Sequence, residues 1–158
     1  MLHSIRYEFS QRFFVPARQA YEWCTDYCSQ DHMLMGEGNA ERSVEHLTEN
    51  SIVITDIFHT DEGVVEKQKL VQLYPDRLSW ISTHLTGPNK YSQFIYEISA
   101  EDNNTSLLGF TALHLEYEMQ EMDEKEIRVL ADKLLKEDST AWKRLAKAMI
   151  EEATRGTH

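Results

Sequence analysis

Apolar and polar residues alternate through the first stretch of the chain. Ile5, Tyr7, Phe9 and Phe13 share one parity, and the polar residues Ser4, Arg6, Glu8 and Arg12 have the other. Because successive side chains of a strand point to opposite faces, this alternation predicts a half-buried strand. Proline in the first turn of a helix loses no hydrogen bond, so Pro16 predicts a short helix over Ala17 to Cys28. A second short helix is predicted from Asp31, followed by a loop from Gly36 to Asn39.

The middle of the chain changes to six short runs that are rich in β-branched and aromatic residues. They lie between Glu41 and Glu118 and read ERSVEHLT, SIVITDIFH, VVEKQKLVQLY, RLSWISTHL, KYSQFIYEIS and SLLGFTALHLEYE. Turn residues separate these runs, as at Asp61-Glu62-Gly63 and Asp102-Asn103-Asn104. Parallel strands would need crossovers of about a dozen residues, so the short connections predict an antiparallel meander.

The end of the chain has the periodicity of a helix. Apolar residues recur there at steps of three and four, namely Ile127, Leu130, Ala131, Leu134, Leu135, Ala141, Trp142, Leu145, Ala146, Met149 and Ala153. This spacing is typical of an amphipathic helix. At about 1.5 Å per residue, such a helix would reach roughly 50 Å, which is long enough to cross a whole sheet.

Composition narrows the classes of protein that the chain can represent. The 158 residues predict a single domain over 1–158, and 27 acidic against 16 basic side chains give a formal charge of −11. Because nucleic-acid affinity depends on clustered Lys and Arg, we expect no nucleic-acid partner. No apolar run is long enough to span a membrane, and the first residues do not resemble a secretory leader. Cys24 and Cys28 form no disulfide framework, so a reducing, cytoplasmic location is expected.

The order of these elements resembles one known superfamily. An apolar strand runs into VPARQAYEWCTDY and is followed by a glycine-containing loop, a meander and a closing helix. Over nearly the whole chain this is similar to the START-like polyketide cyclase, or SRPBCC, superfamily. The resemblance implies an α+β helix-grip fold, in which a strongly curved antiparallel sheet of about seven strands wraps around a long C-terminal helix. Two short helices would lie between strands 1 and 2.

The resemblance implies a cavity rather than a fixed set of catalytic residues. Members of the superfamily include lipid carriers, aromatic-ring cyclases and co-chaperones. A curved sheet cannot bring every strand into contact with a single helix, so one end of the interior tends to stay hollow, and ligand sites of this kind are mostly apolar. The sequence departs from the family pattern at Asn104-Thr105, where a Gly-Thr turn often precedes the last strand. Asparagine tolerates positive φ, so the turn survives the change.

The candidate ligand-binding residues lie on the predicted inner faces of the sheet and helix. They are Trp80, His84, Phe94, Tyr96, Phe110, Asp138 and Trp142. Trp80 and His84 share a strand face, but the opposite face, with Ile81, is nearly as apolar, so the pattern leaves two readings for His84: a residue that lines the cavity or a solvated one. Tyr96 either orients a ligand through its hydroxyl or is a core tyrosine that bonds to a backbone carbonyl. His114, beside Glu116, is expected at the wet end of its strand face.

Asp138 is the acidic residue on the apolar stripe of the terminal helix. A carboxylate in that position is costly unless it is paired, solvated or protonated. One interpretation is an acid or base with a raised pKa that projects into a cavity. The alternative is a break between two helices at KEDST, with Asp138 or Ser139 as the cap of the second.

No metal or cofactor is expected from the motifs in the chain. Cys24, Cys28 and His32 recur every four residues, but three ligands at rising offset on one short helix do not converge on a tetrahedral ion. Buried, reduced thiols are the simpler reading. The sequence contains no P-loop, dinucleotide fingerprint, nucleophile elbow or HExxH motif.

Three hypotheses for function follow. The first is a domain that holds a hydrophobic small molecule, such as a lipid, an isoprenoid or a polyketide-like aromatic, between sheet and C-terminal helix. The second is an enzyme of the cyclase/dehydratase kind that uses His84, Tyr96 and Asp138 as acid, base and orienting group. The third is a protein-interaction module or homodimer that works through an exposed sheet face or edge, with Glu41 to His46 as a charged edge strand.

Overall fold

The computed structural model describes residues 1–27, 40–118 and 120–156. Their elements are β1 (Leu2–Phe13), α1 (Ala17–Cys24), β2 (Ala40–Thr48), β3 (Ser51–Thr60), β4 (Gly63–Tyr74), β5 (Ser79–His84), β6 (Gln93–Ala100), β7 (Ser106–Tyr117) and α2 (Glu124–Gly156). The predicted α+β class, the six-stranded meander and the long closing helix are confirmed. The predicted second short helix lies outside the described residues. No helix within the described ranges is long and apolar enough to cross a membrane.

The seven strands form one antiparallel sheet in the order β1-β7-β6-β5-β4-β3-β2. Consecutive strands from β2 to β7 pair through hairpins, and β1 closes the order by pairing with β7 from Leu2↔Tyr117 to Phe13↔Ser106. The strand β2 is one edge of the sheet, so the prediction of a charged edge strand at residues 41–46 is confirmed.

One face of the sheet lies against α2 and is buried. Alternation along each strand decides which side chains lie on this inner face, because every second residue points the same way. Phe13 and Leu108 on the inner face are completely buried, and Trp80 and Phe94 are nearly so. The predicted inner face of β6 is therefore confirmed, and the inner face of β5, which the sequence left open, is the one with Trp80.

The helix α1 is shorter than predicted. It begins after Pro16 as expected but ends at Cys24, before the predicted end at Cys28. The backbone N–H and the hydroxyl of Thr25 both donate to the carbonyl of Tyr21, at 3.0 and 2.7 Å. The threonine hydroxyl thus donates a hydrogen bond to a carbonyl of the last turn, and the helix ends there.

The helix α2 is continuous through the KEDST segment, so the hypothesis of a helix break capped by Asp138 or Ser139 is wrong. The hydroxyl of Ser139 donates to the carbonyl of Lys136 within the helix, at 3.3 Å. Asp138 has a partner from another element, the hydroxyl of Tyr7 on β1. A carboxylate with such a hydrogen-bond partner can lie in the middle of a helix, on its apolar side, so no helix end is needed to satisfy it. The helix packs mainly against β1, and two of its own residues, Trp142 and Met149, are buried.

Candidate functional site

A continuous cluster of aromatic rings occupies the interior between β5, β6, β7 and α2. Tyr96 is at its centre: its ring stacks on Trp80 with centroids 4.6 Å apart, and it lies 5.3 Å from Phe110 and 5.6 Å from Trp142. Phe94 extends the cluster along the sheet, 6.0 Å from Phe110. These five residues, which sequence reasoning selected on four separate elements, are in contact in the folded protein.

His84 lies at the end of this cluster. Its ring is 4.9 Å from the ring of Phe94, and its other side faces a cavity of about 370 Å³. The cavity is lined by Asp56, Lys67, Gln68, Lys69, His84, Thr86, Gly87, Pro88, Asn89, His114 and Glu116. Of the two readings that the sequence left open for His84, the structure favours the residue that lines a cavity.

This cavity differs in position from the one that the sequence predicts. Among the described residues that line it, none belongs to α2, whereas the predicted cavity lay between the sheet and that helix. The helix packs mainly over the β1 side of the sheet, where Trp142 contacts Phe13 and Tyr96. The described cavity lies instead beside the loop between β5 and β6, and residues of β3, β4 and β7 also line it.

The loop between β5 and β6 forms one wall of the cavity. Its base is closed by two backbone hydrogen bonds, from His84 N–H to the carbonyl of Ser92 at 3.0 Å and from Tyr91 N–H to the carbonyl of His84 at 2.6 Å. Gly87 and Tyr91 have positive φ, of 95° and 72°. Glycine adopts this conformation without steric cost, so the chain can turn sharply at Gly87 and return along the cavity.

Two carboxylates at the cavity already have cationic or imidazole partners. Arg42 donates two hydrogen bonds to Asp56, at 2.6 and 2.8 Å, in a bidentate pair that is almost fully buried. The Nε2 atom of His114 lies 2.5 Å from Oε2 of Glu116. Such pairs hold both side chains in fixed geometry. His114 is 6% exposed, so its expected position at the wet end of the strand is wrong.

Burial and the nearby lysines keep His84 neutral. Burial lowers the pKa of His84 below its ordinary value, and the positive charges of Lys69 and Lys67 lower it further. A hydrogen bond with the side chain of Asn89 acts in the opposite direction but does not reverse the shift. A neutral imidazole has one donor and one acceptor nitrogen, so it can bind a polar group of either kind.

Asp138 and Tyr7 form a second polar group, between α2 and β1. The hydroxyl of Tyr7 donates to Oδ2 of Asp138 at 2.5 Å. Burial raises the pKa of Asp138, and the hydrogen bond from Tyr7 lowers it by a smaller amount. Burial also raises the pKa values of Tyr7 and Tyr96, and the Asp138 charge adds to both shifts. Asp138 is therefore close to Tyr96, as predicted, but it does not line the described cavity.

The raised pKa of Asp138 predicts a loss of stability with rising pH. Between the ordinary value of 3.8 and the folded-state pKa, the folded protein holds a proton that the unfolded chain has released. This contribution to stability is fully present below 3.8 and disappears as the pH rises through the folded-state pKa. Asp138→Asn should therefore flatten this part of the pH dependence in urea unfolding. Tyr7→Phe removes the hydrogen bond that lowers the pKa of Asp138, so it should move this loss of stability to higher pH.

The exposed Asp132 on the same helix offers a control. Asp132→Asn should leave the pH dependence of the unfolding free energy close to that of the wild type. If Asp138→Asn gives the same slope as Asp132→Asn between pH 4 and neutrality, then Asp138 does not titrate with a raised pKa in the folded protein.

Sequence reasoning missed the polar residues of the cavity, chiefly His114 and the two lysines. The signal for His114 was its parity, since it follows the buried Phe110 and Ala112 at every second position of β7. Lys67 and Lys69 gave no comparable signal, because both faces of the run VVEKQKLVQLY mix apolar and polar residues. Only the pairing of β4 with β3 and β5 places them toward the cavity.

The described residues offer no group of three His, Cys, Asp or Glu side chains that could hold a metal ion. Cys24 is buried in α1. Cys28 and His32, the other members of the spacing noted in the sequence, lie outside the described residues.

Comparisons with known proteins bear on the fold. No family model matches the sequence, and no curated protein matches it. Among solved structures, the ZhuI aromatase/cyclase from Streptomyces sp. R1128 is similar over 99% of this chain and 97% of its own, with 14% identity and a TM-score of 0.71. A protein of unknown function from Staphylococcus aureus is similar over 98% of both chains, with 12% identity and a TM-score of 0.72.

An enzyme from a plant shares the architecture as well. Norcoclaurine synthase from Thalictrum flavum, whose structure holds dopamine and hydroxybenzaldehyde, is similar over 96% of this chain and 88% of its own, with 7% identity and a TM-score of 0.67. At these identities the similarity concerns the arrangement of sheet and helices. The chain therefore shares a helix-grip fold with these structures.

Proposed function

We propose that the protein binds a hydrophobic small molecule, such as a lipid, an isoprenoid or a polyketide-like aromatic, on the inner face of its sheet. The cavity of about 370 Å³ beside His84 is the observation that carries this proposal. Sites for small molecules have volumes of roughly 300–1,000 Å³ and combine apolar walls with a few polar groups. The described cavity fits the lower end of that range.

The aromatic cluster supports an aromatic or other flat, apolar occupant. A ligand in the cavity would meet the ring of His84, which already packs against Phe94. Aromatic pairs gain about 0.5–1.5 kcal/mol beyond their buried area, so a flat ligand would extend the row of rings. Two structures of the same fold belong to an aromatase/cyclase and to a synthase that holds two small aromatic molecules.

Titration with neutral probes of the three ligand classes tests the proposal. We expect at least one of 2-naphthamide, farnesol and hexadecan-1-ol to bind and to shift the amide NMR signals of β4, β5 and the 85–92 loop. His84→Trp should weaken that binding at least tenfold, because the larger ring occupies the cavity. His46→Trp, on the exposed edge strand, should leave it unchanged. Absence of binding by all three probes would contradict the proposal.

The second candidate is an enzyme of the cyclase/dehydratase kind. Two histidines, His84 and His114, line the same cavity, and the carboxylate of Glu116 orients one of them. A neutral His84 is suited to accept a proton from a carbon next to a carbonyl. Conversion of 4-hydroxy-4-phenylbutan-2-one to its enone and water, lost in His84→Gln, would favour this candidate over simple binding. Recovery of the unchanged compound would count against it.

A further inference from the structure

One buried histidine at the cavity has a hydrogen-bond partner for only one of its two ring nitrogens. The side chain of His114 is 7% exposed, and its Nε2 atom lies 2.5 Å from Oε2 of Glu116. The second ring nitrogen, Nδ1, forms no hydrogen bond with any residue that the structure describes. Buried polar atoms are nearly always paired, with protein or with another molecule. Because His114 lines the cavity, the missing partner can come from a molecule that occupies it.

The carboxylate of Glu116 decides which nitrogen of this ring carries hydrogen. An ionised carboxylate has acceptor oxygens only, so the hydrogen bond between the two side chains requires a hydrogen on Nε2 of His114. In the neutral imidazole, Nδ1 then has a free lone pair and accepts hydrogen bonds. Beyond its bond with Glu116, the neutral ring therefore offers an acceptor and no N–H donor.

The backbone around His114 is held from both sides. Its partner on β1 is Ile5, which is 2% exposed. On the other side, the backbone N–H of Leu115 donates to the hydroxyl of Ser92 at 2.8 Å. Ser92 lies at the end of the loop that forms one wall of the cavity, and it is completely buried. An acceptor fixed in this way loses little conformational freedom when it binds a ligand.

Apolar ring surface lies near this acceptor. His114 follows Ala112 on the same face of β7, and Ala112 is the partner of Phe94 on β6. The ring of Phe94 packs against that of His84, which lines the same cavity as His114. The cavity thus has a ring surface at His84 and a fixed acceptor at His114.

We propose that the ligand of this cavity is a neutral, apolar compound with a hydroxyl group, which donates a hydrogen bond to Nδ1 of His114 while the apolar body lies along the ring of His84. The inference rests on the proposed function, because it names the chemical class of the same ligand. Glu116 is then a positioning residue, which acts through the ring of His114. A hydrocarbon, or a compound that only accepts hydrogen bonds, would leave Nδ1 unpaired.

Isothermal titration with two ligands of nearly the same shape tests the inference. The probes are 2-naphthol and 2-methylnaphthalene, which differ by a hydroxyl in place of a methyl group. We expect the naphthol to bind roughly tenfold more tightly, the factor that one hydrogen bond supplies. His114→Phe keeps a ring but removes the acceptor, so it should abolish this preference and leave the binding of 2-methylnaphthalene close to that of the wild type. Glu116→Gln should reduce the preference, because an amide bonds to either tautomer of the ring.

His59 and Glu41 offer a matched control. They are a second histidine–carboxylate pair, with Nε2 of His59 3.6 Å from Oε2 of Glu41, but their side chains are 46% and 72% exposed and neither lines the cavity. His59→Phe and Glu41→Gln should leave the preference for naphthol unchanged. Circular dichroism and urea unfolding of each variant separate a loss of binding from a loss of fold.

Nitrogen NMR of the wild-type protein tests the same point without a substitution. In mildly alkaline buffer, we expect the Nδ1 signal of His114 to have the chemical shift of an unprotonated nitrogen. It should move on addition of 2-naphthol and stay in place on addition of 2-methylnaphthalene. In Glu116→Gln the Nδ1 and Nε2 signals should approach each other as the two tautomers mix, an effect that a merely structural role of Glu116 does not produce. A protonated Nδ1 in the free wild-type protein contradicts the inference.

The outcomes distinguish this inference from the proposed function. Equal binding of 2-naphthol and 2-methylnaphthalene overturns the inference, since Nδ1 would then bond to water only, and it leaves the proposed function standing. A preference for naphthol that survives His114→Phe also overturns it. If neither of these two probes, nor any of the three neutral probes above, binds, the inference and the proposed function fail together.

Discussion

Asp56→Ala should lower the free energy of unfolding by about 3–5 kcal/mol, because it leaves the guanidinium of Arg42 buried without its carboxylate. The side chain of Arg42 is 2% exposed and that of Asp56 is 10% exposed. Desolvation makes an isolated charge at this depth expensive, and the two hydrogen bonds to Asp56 compensate for that cost in the wild type. Urea unfolding measures the change directly.

A double substitution separates the cost of an orphaned charge from the net worth of the pair. In Arg42→Met with Asp56→Leu, no buried charge remains, and apolar side chains of similar length fill the space. We expect most of the lost stability to return, since a buried ion pair is often no better than a well-packed apolar pair. A loss of less than 1 kcal/mol in Asp56→Ala would show that water reaches the guanidinium and that the pair is not effectively buried.

Trp142→Ala should destabilise the protein by about 3–5 kcal/mol, the usual cost of removing a large aromatic side chain from a core. Trp142 is 5% exposed and lies 6.2 Å from Phe13 and 5.6 Å from Tyr96, ring centre to ring centre. It therefore joins α2 to β1 and to β6 at once. Its removal takes away apolar burial and leaves a cavity that the surrounding rings fill only in part.

Val129 is the matched control on the same helix. It is 61% exposed, and Val129→Ala should change the free energy of unfolding by less than about 0.5 kcal/mol. Both substitutions truncate an apolar residue of α2 to alanine, so the contrast isolates burial from helix propensity. Similar losses for the two variants would contradict the packing described for α2.

The pattern of the sequence was sufficient for the strands, for the long helix and for the inner face of β6. Alternation in the run KYSQFIYEIS selected the face with Phe94 and Tyr96 as the inner one, and the structure confirms it. The spacing of apolar residues predicted α2 together with the burial of Trp142. These features depend on residues a few positions apart, so a single sequence contains the relevant information.

Two failures have a common physical origin. The predicted helix break at KEDST was a local explanation for a carboxylate on an apolar stripe. The partner that removes the need for a break, Tyr7, is 131 positions away in the chain. His114 was likewise assigned to the wet end of its strand, although the fold buries it beside the loop between β5 and β6. The contact with Tyr7 leaves no periodic trace in the sequence, whereas the parity of β7 places His114 on the buried face but does not show how far along the strand the burial extends.

The cavity itself was decided by tertiary structure. The sequence determined that a curved sheet and a long amphipathic helix would face each other, because alternation and 3.6-residue periodicity act over short distances. It did not determine that α2 would lie mainly over β1, with none of its described residues lining the cavity. That placement, and with it the meeting of Lys67, Lys69 and His84 at one wall, depends on how distant strands pair and how the helix packs on them. Long-range packing, which no local pattern encodes, thus decided where the cavity lies.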